Sequence, residues 1–344
     1  MGATTATESV VVRAEELRAS IASPLVAFGA TSGDAETQAG MLVEGDLRGH
    51  HSHGARRLPV LLERLKAGLI LSGVDAEHDW RAAAALHVDG RRGFGPVVGY
   101  GAVDAIAERA RETGVALAAV RNCGHLGMTA PYVERLAAAN CVGMAFTVSE
   151  ALVHPWGGTR ALVGTNPIGI GVPTGGEPIV LDMSTAAISA GKILDYAARD
   201  QPIPEGWAVD AHGVPTTDAH AAAAGAISPF GGPKGYALGI ALEALVGVLA
   251  GTAFGTDVHG TLDVDKPATK GDLFLAISLD ALGADAAAGP LTAYLDEVRA
   301  SGRDGGAVDV PGDRARRLRA ERLRDGIPLD AALWARIGEL GAAS

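Results

Sequence analysis

Aromatic residues are scarce, 4% of 344, so any core has to be assembled from Ala, Val, Leu and Ile. Cysteine is rarer still. Cys123 and Cys141 are the only two, too few for a disulfide framework, and read as reduced thiols of a cytoplasmic protein. Basic side chains are the minority, 29 against 40 acidic, for a formal net charge of −11. That balance disfavours nucleic-acid binding and adhesion to anionic membranes. Residues 1–13 lack the apolar stretch of a secretory leader. One long hydrophobic run exists, 237–254. It contains Glu243 and several Gly, and Lys234 and Tyr236 flank it on the N-terminal side alone. It reads as a buried helix, with no membrane partner expected.

With 48% hydrophobic and 20% charged residues the chain is a folding sequence, not a disordered one. At a prior of ~150 residues per domain its length suggests about two domains. The first seventy residues read as helical. One helix starts near Val12 and carries Leu17, Ile21 and Leu25 on a stripe, with Pro24 kinking or ending it. Thr31-Ser32-Gly33-Asp34 has the form of a capping box. A second helix follows to about Gly49, and a third carries Leu58, Leu61, Leu62 and Leu65. After Gly68 the pattern alternates. Strands are expected at 82–88, 115–120 and 142–147, and helices at 99–113 and 130–139. Short apolar runs at 161–163, 168–172 and 179–181 precede a loop at 201–217. An apolar helix (235–249), a strand (273–279) and an Arg-rich helical tail (314–340) complete the reading. The tail's arginines, interleaved with acids, read as a solvated face.

Gly93-Phe94-Gly95 and Gly99-Tyr100-Gly101 do not supply the G-x-G-x-x-G spacing, and no acidic residue stands where that fingerprint needs one. A Rossmann domain is therefore not expected. The densest chemistry lies in Asp46-Leu47-Arg48-Gly49-His50-His51-Ser52-His53-Gly54-Ala55-Arg56-Arg57. Three histidines in four residues are too crowded for a zinc site, so no metal is expected. A polar turn between helices would account for the composition. A further reading accounts for the chemistry: a His beside a Ser can carry a proton near neutral pH. An Arg one turn later can clamp a carboxylate through two hydrogen bonds. Proton donor plus carboxylate clamp is what reduction of a 2-oxo acid requires.

This block resembles the D-L-R-G-x-x-S-H-G-x-x-R signature of the malate/L-lactate dehydrogenase family of NAD(P)-dependent oxidoreductases, which is distinct from the Rossmann-type enzymes. The resemblance runs from about residue 12 to 324. It takes in Asn122-Cys123-Gly124-His125-Leu126-Gly127, Pro155-Trp156-Gly157-Gly158 and Gly164-Thr165-Asn166-Pro167. Asp182-Met183-Ser184-Thr185, Pro204-Glu205-Gly206-Trp207, Pro233-Lys234-Gly235-Tyr236 and Pro311-Gly312 follow in the same order.

The resemblance implies an α/β fold with a non-Rossmann, mixed-sheet NAD(P)-binding domain (76–311) and a mainly helical domain (1–75 with 312–344) that carries the Ser-His-Gly motif. It implies NAD or NADP as cofactor, a 2-hydroxy or 2-oxo acid as substrate, and a homodimer with shared active sites. His53 is implied as proton donor with Ser52 as its relay, and His125 as a rival for that role. Arg57 would hold the substrate carboxylate, with Thr165, Ala190 and Lys192 on the substrate side. His125, Leu126, Gly127, Met128, Thr129, Ser149, Asp182, Met183, Ser184, Pro233, Lys234, Gly312 and Arg314 would hold the cofactor. The cyclic-imine reductases of the family carry His and Asp where this chain has Ala190 and Lys192. That difference favours a hydroxy-acid substrate over an imino acid, in a roomier pocket than malate or lactate needs. His259 stands alone with no visible role.

Overall fold

Residues 9–342 are described in this computed structural model; most of the 1–13 stretch lies outside them. Strand β1 (Ser9–Val12) opens the described chain, pairing antiparallel with residues 327–330. Helix α1 therefore starts at Ala14, after the strand, and not at Val12 as the apolar stripe suggested. It runs to Ala27 straight through Pro24, which is buried with Leu17, Ile21 and Leu25. Burial of that stripe outweighs the hydrogen bond that proline cannot donate. The Thr31 hydroxyl caps α2 (Ser32–Leu47) by accepting from the Asp34 N–H at 3.3 Å. Asp34 does not close the box; its carboxylate turns outward to the Ser72 hydroxyl and the Gly73 N–H. Two 3-10 turns, His51–His53 and Ala55–Arg57, lead into α3 (Leu58–Lys66).

The run 82–88 is not one strand. It divides between β2 (Glu77–Ala82) and β3 (Ala85–Asp89), a hairpin with a bulge at its turn end. Then come α4 (Gly95–Thr113), β4 (Val115–Arg121), α5 (Ala130–Ala138), β5 (Cys141–Thr147), β6 (Ile168–Val172) and β7 (Ile179–Met183). A smaller unit follows. It comprises α6 (Ala190–Ala197), which the sequence did not announce, the short strands β8 (Ala208–Val209), β9 (Pro215–Thr216) and β10 (Ala226–Ile227), and α7 (Ala219–Ala223). Next are α8 (Pro233–Ala250), β11 (Gly271–Ser278), α9 (Leu279–Leu282) and α10 (Ala288–Ala300). The tail is not one helix: α11 (Asp313–Asp325) and α12 (Ala331–Ala342) are separated by β12 (Ile327–Asp330), the partner of β1.

Seven strands make the main sheet in the order β2-β3-β4-β11-β5-β6-β7. Only β3 and β4 run parallel; β11 inserts between β4 and β5 and pairs antiparallel with both. The fold is a mixed α/β architecture, not a doubly wound one, as the missing glycine fingerprint implied. Alternation sends Ala116, Ala118 and Val120 of β4 to one face, where they meet Ile106 of α4 and Leu136 of α5. Ala119 and Leu273 face the other side, against Val246 and Ala250 of α8. A second core joins α1, α2 and α3 to β1 and β12. Both cysteines are buried and free.

α8 is only half the buried helix that its composition suggested. Leu242, Glu243, Val246 and Ala250 face inward, while Leu238, Ile240, Leu245, Val248 and Leu249 are exposed. By length and composition it is the one described helix that meets the requirement for crossing a membrane; its inner face lies against the sheet.

Candidate active site

The Asp46–Arg57 block folds tightly because Asp46, Gly54 and the preceding Gly45 fit only one way. Asp46, at the end of α2 and 2% exposed, accepts from His51 Nδ1 at 2.8 Å and from the Ala55 N–H at 2.7 Å. A Cβ on Gly54 would fall 2.2 Å from the Asp46 carboxylate, and one on Gly45 would fall 2.6 Å from the His53 carbonyl. The turn therefore closes only with glycine at both places. Arg48 is occupied in holding the fold, with a forked pair of hydrogen bonds to Glu134 of α5. His51 Nδ1 is taken up by Asp46, while His53 Nδ1 faces Ser52 Oγ. Among the described residues no group of His, Cys, Asp and Glu is placed to hold a metal ion.

The block forms one wall of a cavity of about 500 Å³, well inside the range of small-molecule sites. Ser52, His53 and Arg57 line that wall. His125, Gly127, Met128 and Thr129 arrive from the loop between β4 and α5, and Ser149 and Thr165 from the segments around β5 and β6. Asp182, Met183 and Ser184 come from the end of β7; Ala190 and Lys192 come from the start of α6. Segments more than two hundred residues apart thus meet here, since Thr261 and Leu262 close the far side.

The two histidine rings stack with centroids 5.4 Å apart. They differ in their partners. His125 Nδ1 accepts from the Gly127 N–H at 3.0 Å, so its ring is neutral with the proton on Nε2. His53 Nδ1 lies 3.0 Å from Ser52 Oγ. A hydroxyl can donate to a neutral ring or accept from a charged one, so Ser52 accommodates both protonation states of His53. Burial, and then the charge of Arg57, push His53 down to about 4, while Asp182 acts in the opposite sense. Burial drives His125 well below its ordinary value, with Arg57 and His53 adding to it.

Arg57 is half-buried in the cavity wall; desolvation pushes its guanidinium down to about 10, with the Glu150 charge opposing. It stays charged at neutral pH, yet its guanidinium makes no ion pair among the described residues. Asp182 accepts the Ala130 N–H at the start of α5 at 2.8 Å, fixing its carboxylate at the cavity edge. The Thr165 N–H donates to Ser149 Oγ at 3.0 Å, and the two hydroxyls lie 3.1 Å apart.

A model of the malate/L-lactate dehydrogenase family matches residues 12–338. A solved dehydrogenase from Sinorhizobium meliloti superposes with a TM-score of 0.93 at 45% identity, covering 97% of this chain and 99% of that one. A malate/(S)-sulfolactate dehydrogenase from Methanothermus fervidus is 35% identical over 96% of this chain and 97% of its own length. A Δ1-pyrroline-2-carboxylate reductase from Ancylobacter novellus is 33% identical over 92% and 93%. The chain belongs to the malate/L-lactate dehydrogenase family.

Not every residue that the family motifs single out reaches the cavity. Leu126 points into the core, and its carbonyl accepts from the Tyr132 hydroxyl at 2.6 Å. Pro233 and Lys234 are exposed at the start of α8. Gly312 precedes α11 with φ +102°, and Arg314 in its first turn acts on His50 through its charge. Conversely, Glu150 was not singled out. Its Oε1 accepts from the N–H groups of Thr261 (2.6 Å) and Leu262 (3.0 Å), and Oε2 accepts from the Thr261 hydroxyl. It therefore fastens the far wall. The Arg56–Asp195 pair, at 3.0 Å, ties α6 to the Ser52–Arg57 turn. Glu150 stands directly after Ser149, but nothing in the sequence joins it to a loop more than a hundred residues away.

Proposed function

We propose that this chain is an NAD(P)-dependent oxidoreductase moving hydride between nicotinamide and C2 of a 2-hydroxy or 2-oxo carboxylic acid. The observation that carries this reading is Arg57: a half-buried, charged, unpaired guanidinium in the cavity wall beside a histidine able to change protonation state. A cation partly withdrawn from water without a partner is costly, and a substrate carboxylate satisfies it with two charge-assisted hydrogen bonds. The family match and the dehydrogenase relatives support the same reading.

The cavity also fits the cofactor. Thr129 belongs to the cavity wall, with its Oγ1 packed against Gly169 of β6. His125, Gly127 to Thr129, Ser149 and Asp182 to Ser184 would hold the nicotinamide end, with Leu126 fixing their loop from the core. Pro233, Lys234, Gly312 and Arg314, outside the cavity, would serve the phosphates and the adenosine. Bound there, the nicotinamide supplies or accepts the hydride.

The protein's own part is alignment and proton handling. Arg57 fixes the carboxylate and so the plane of the substrate. His53 Nε2 gives a proton to the oxygen on C2 as the carbonyl is reduced, and takes it back in the oxidative direction. Ser52 keeps the ring oriented in both states. Thr165 holds the substrate from the opposite side. Lys192, exposed at the rim without a carboxylate partner among the described residues, and the small Ala190 beside it make room for a substrate larger than lactate that bears a second anionic group.

We infer further that the enzyme is a cytoplasmic homodimer. The outer face of α8 presents Leu238, Ile240, Leu245, Val248 and Leu249 to solvent, a contiguous apolar strip of the kind that marks an interface. Phe254 and Leu262 are exposed too, and Leu262 lines the cavity. A second copy seated on this face would lie against the site.

Loss of reduced-nicotinamide absorbance, with NADH and with NADPH, over a panel of 2-oxo acids with and without methylamine tests the function. Turnover with an oxo acid alone is expected. Turnover only when amine is present would overturn the hydroxy-acid reading in favour of imine reduction.

A further inference from the structure

The inward face of α8 carries a single charge, Glu243, which is 4% exposed. Its Oε2 accepts from the Gly164 N–H at 3.1 Å and from Asn166 Nδ2 at 2.8 Å. Its Oε1 accepts from the Gly255 N–H at 2.6 Å. No lysine, arginine or histidine pairs with it among the described residues. A buried carboxylate without a cation is tolerated when N–H donors take up its lone pairs. Here three donors do so, and they come from two segments that wall the cavity.

Gly164 and Asn166 are the neighbours of Thr165 on either side. Thr165 is gripped from elsewhere: Ser149 Oγ takes its N–H, and its carbonyl accepts from the Thr185 N–H (2.8 Å) and hydroxyl (3.0 Å). Asn166 is completely buried with φ +34°, a conformation that costs energy in a residue with a side chain. Its Nδ2 also donates to the Gly239 carbonyl of α8 at 3.1 Å. The bend that carries Thr165 into the cavity wall is thus held from α8, by the Glu243 carboxylate and the Gly239 carbonyl. Gly255, the third partner, starts the segment that leads to Thr261 and Leu262 on the far wall.

We propose that Glu243 is a positioning residue: it fixes the Gly164–Asn166 bend so that Thr165 meets the substrate, and sets the 255–262 segment relative to it. Glu243 itself touches neither substrate nor cofactor. This rests on the reading of Thr165 as a substrate contact. Glu243→Gln keeps the shape and turns one acceptor oxygen into a donor, which must then face a donor N–H whichever way the amide lies.

The test is a double-mutant cycle of Glu243→Gln and Thr165→Val, reading kcat, KM for the 2-oxo acid, the Kd of reduced nicotinamide by fluorescence, and amide exchange across 163–167. Glu243→Gln is expected to lower kcat/KM by about 10- to 100-fold, as small misplacements of a substrate contact do. The nicotinamide Kd should stay within about 2-fold, and exchange across 163–167 should accelerate. On the Thr165→Val background the effect of Glu243→Gln should shrink to within about 3-fold, the signature of one acting through the other. Additive losses, wild-type kinetics in Glu243→Gln, or cofactor affinity lost in step with turnover would overturn the proposal alone. Wild-type kinetics in Thr165→Val would bring down the substrate reading of Thr165 as well. If Glu243→Gln does not fold, Asn166→Ala, which removes one of the three donors and leaves the carboxylate, goes through the same cycle with the same outcomes.

Discussion

The rings of His53 and His125 stack at 5.4 Å with their planes 26° apart, yet only one of them is free to take up a proton. The Gly127 N–H points at His125 Nδ1, and protonating that nitrogen would leave two donors facing each other. His53 has a hydroxyl there instead. His53→Asn should therefore lower kcat in both directions by about 100- to 10,000-fold, the usual worth of a positioned acid–base group. His125→Asn should cost far less and leave the shape of the pH profile unchanged. The reverse ranking would transfer the proton to His125.

The pH dependence has a definite sign. His53 is held at about 4 in the folded protein, against about 6.5 in an unfolded chain. Between those values the unfolded state binds more protons, so stability rises with pH and is lost as the pH falls from about 6.5 toward 4. Thermal midpoints at pH 7.5 and pH 5 should differ in that direction, and His53→Asn should narrow the gap. Kinetically, kcat/KM for oxo-acid reduction should fall about tenfold per pH unit above pH 5, because the free enzyme must bind the proton it will donate. A bound carboxylate cancels the Arg57 charge that acts on His53, so kcat should stay level to a higher pH than kcat/KM. A kcat/KM for reduction that rises with pH would contradict this account.

Arg57 sets activity against stability. Replacing it with Met removes a half-buried charge that has no ion partner, so the thermal midpoint should rise. The same change should raise KM for the oxo acid and reduce kcat/KM by roughly 30- to 5,000-fold, equivalent to the ~2–5 kcal/mol lost when a buried charge partner is truncated. Differential scanning calorimetry and steady-state kinetics on one preparation check both halves. A variant less stable than the parent would show that Arg57 supports the fold.

The exposed face of α8 makes a prediction about assembly. Light scattering should show two chains per particle, and Val248→Glu with Leu245→Lys should release single chains, since charges at the centre of an apolar seam are strongly disfavoured. A wild-type monomer would overturn the dimer reading. Wild-type binding to neutral lipid vesicles, abolished by the same pair of changes, would assign the face to a membrane instead.

Much of the local structure was legible because it depends on short-range periodicity. The stripe of Leu17, Ile21 and Leu25, the Thr31 cap and the apolar strands around Leu117 and Phe146 lie where their spacing put them. Ser52, His53 and Arg57, close together in the sequence, line one wall of the cavity, because a short turn cannot separate neighbours widely. Errors came where distant partners decided. Residues 9–12 and 327–330 are strands because each is the other's partner; without that pairing the first helix reads as starting near Val12 and the tail as helical through 327–330. The 237–254 run looked wholly buried, because composition cannot tell a helix that is covered on every side from one whose outer face is left open.

By itself, then, the sequence determined which groups exist and which short segments form: the Ser-His-Gly segment, the amphipathic helices, and the absence of a phosphate-binding glycine loop. Only the tertiary structure decided that β11 separates β4 from β5, that Glu150 ties down Thr261, and that Glu243 reaches both sides of Thr165. It also decided that Arg57 is half-buried without a counter-charge among the described residues and that His53 is held below its ordinary range. The physical reason is the same in each case. Hydrogen-bond partnership across a hundred residues and the cost of removing a charge from water are properties of three-dimensional surroundings, and no local pattern of residues encodes them.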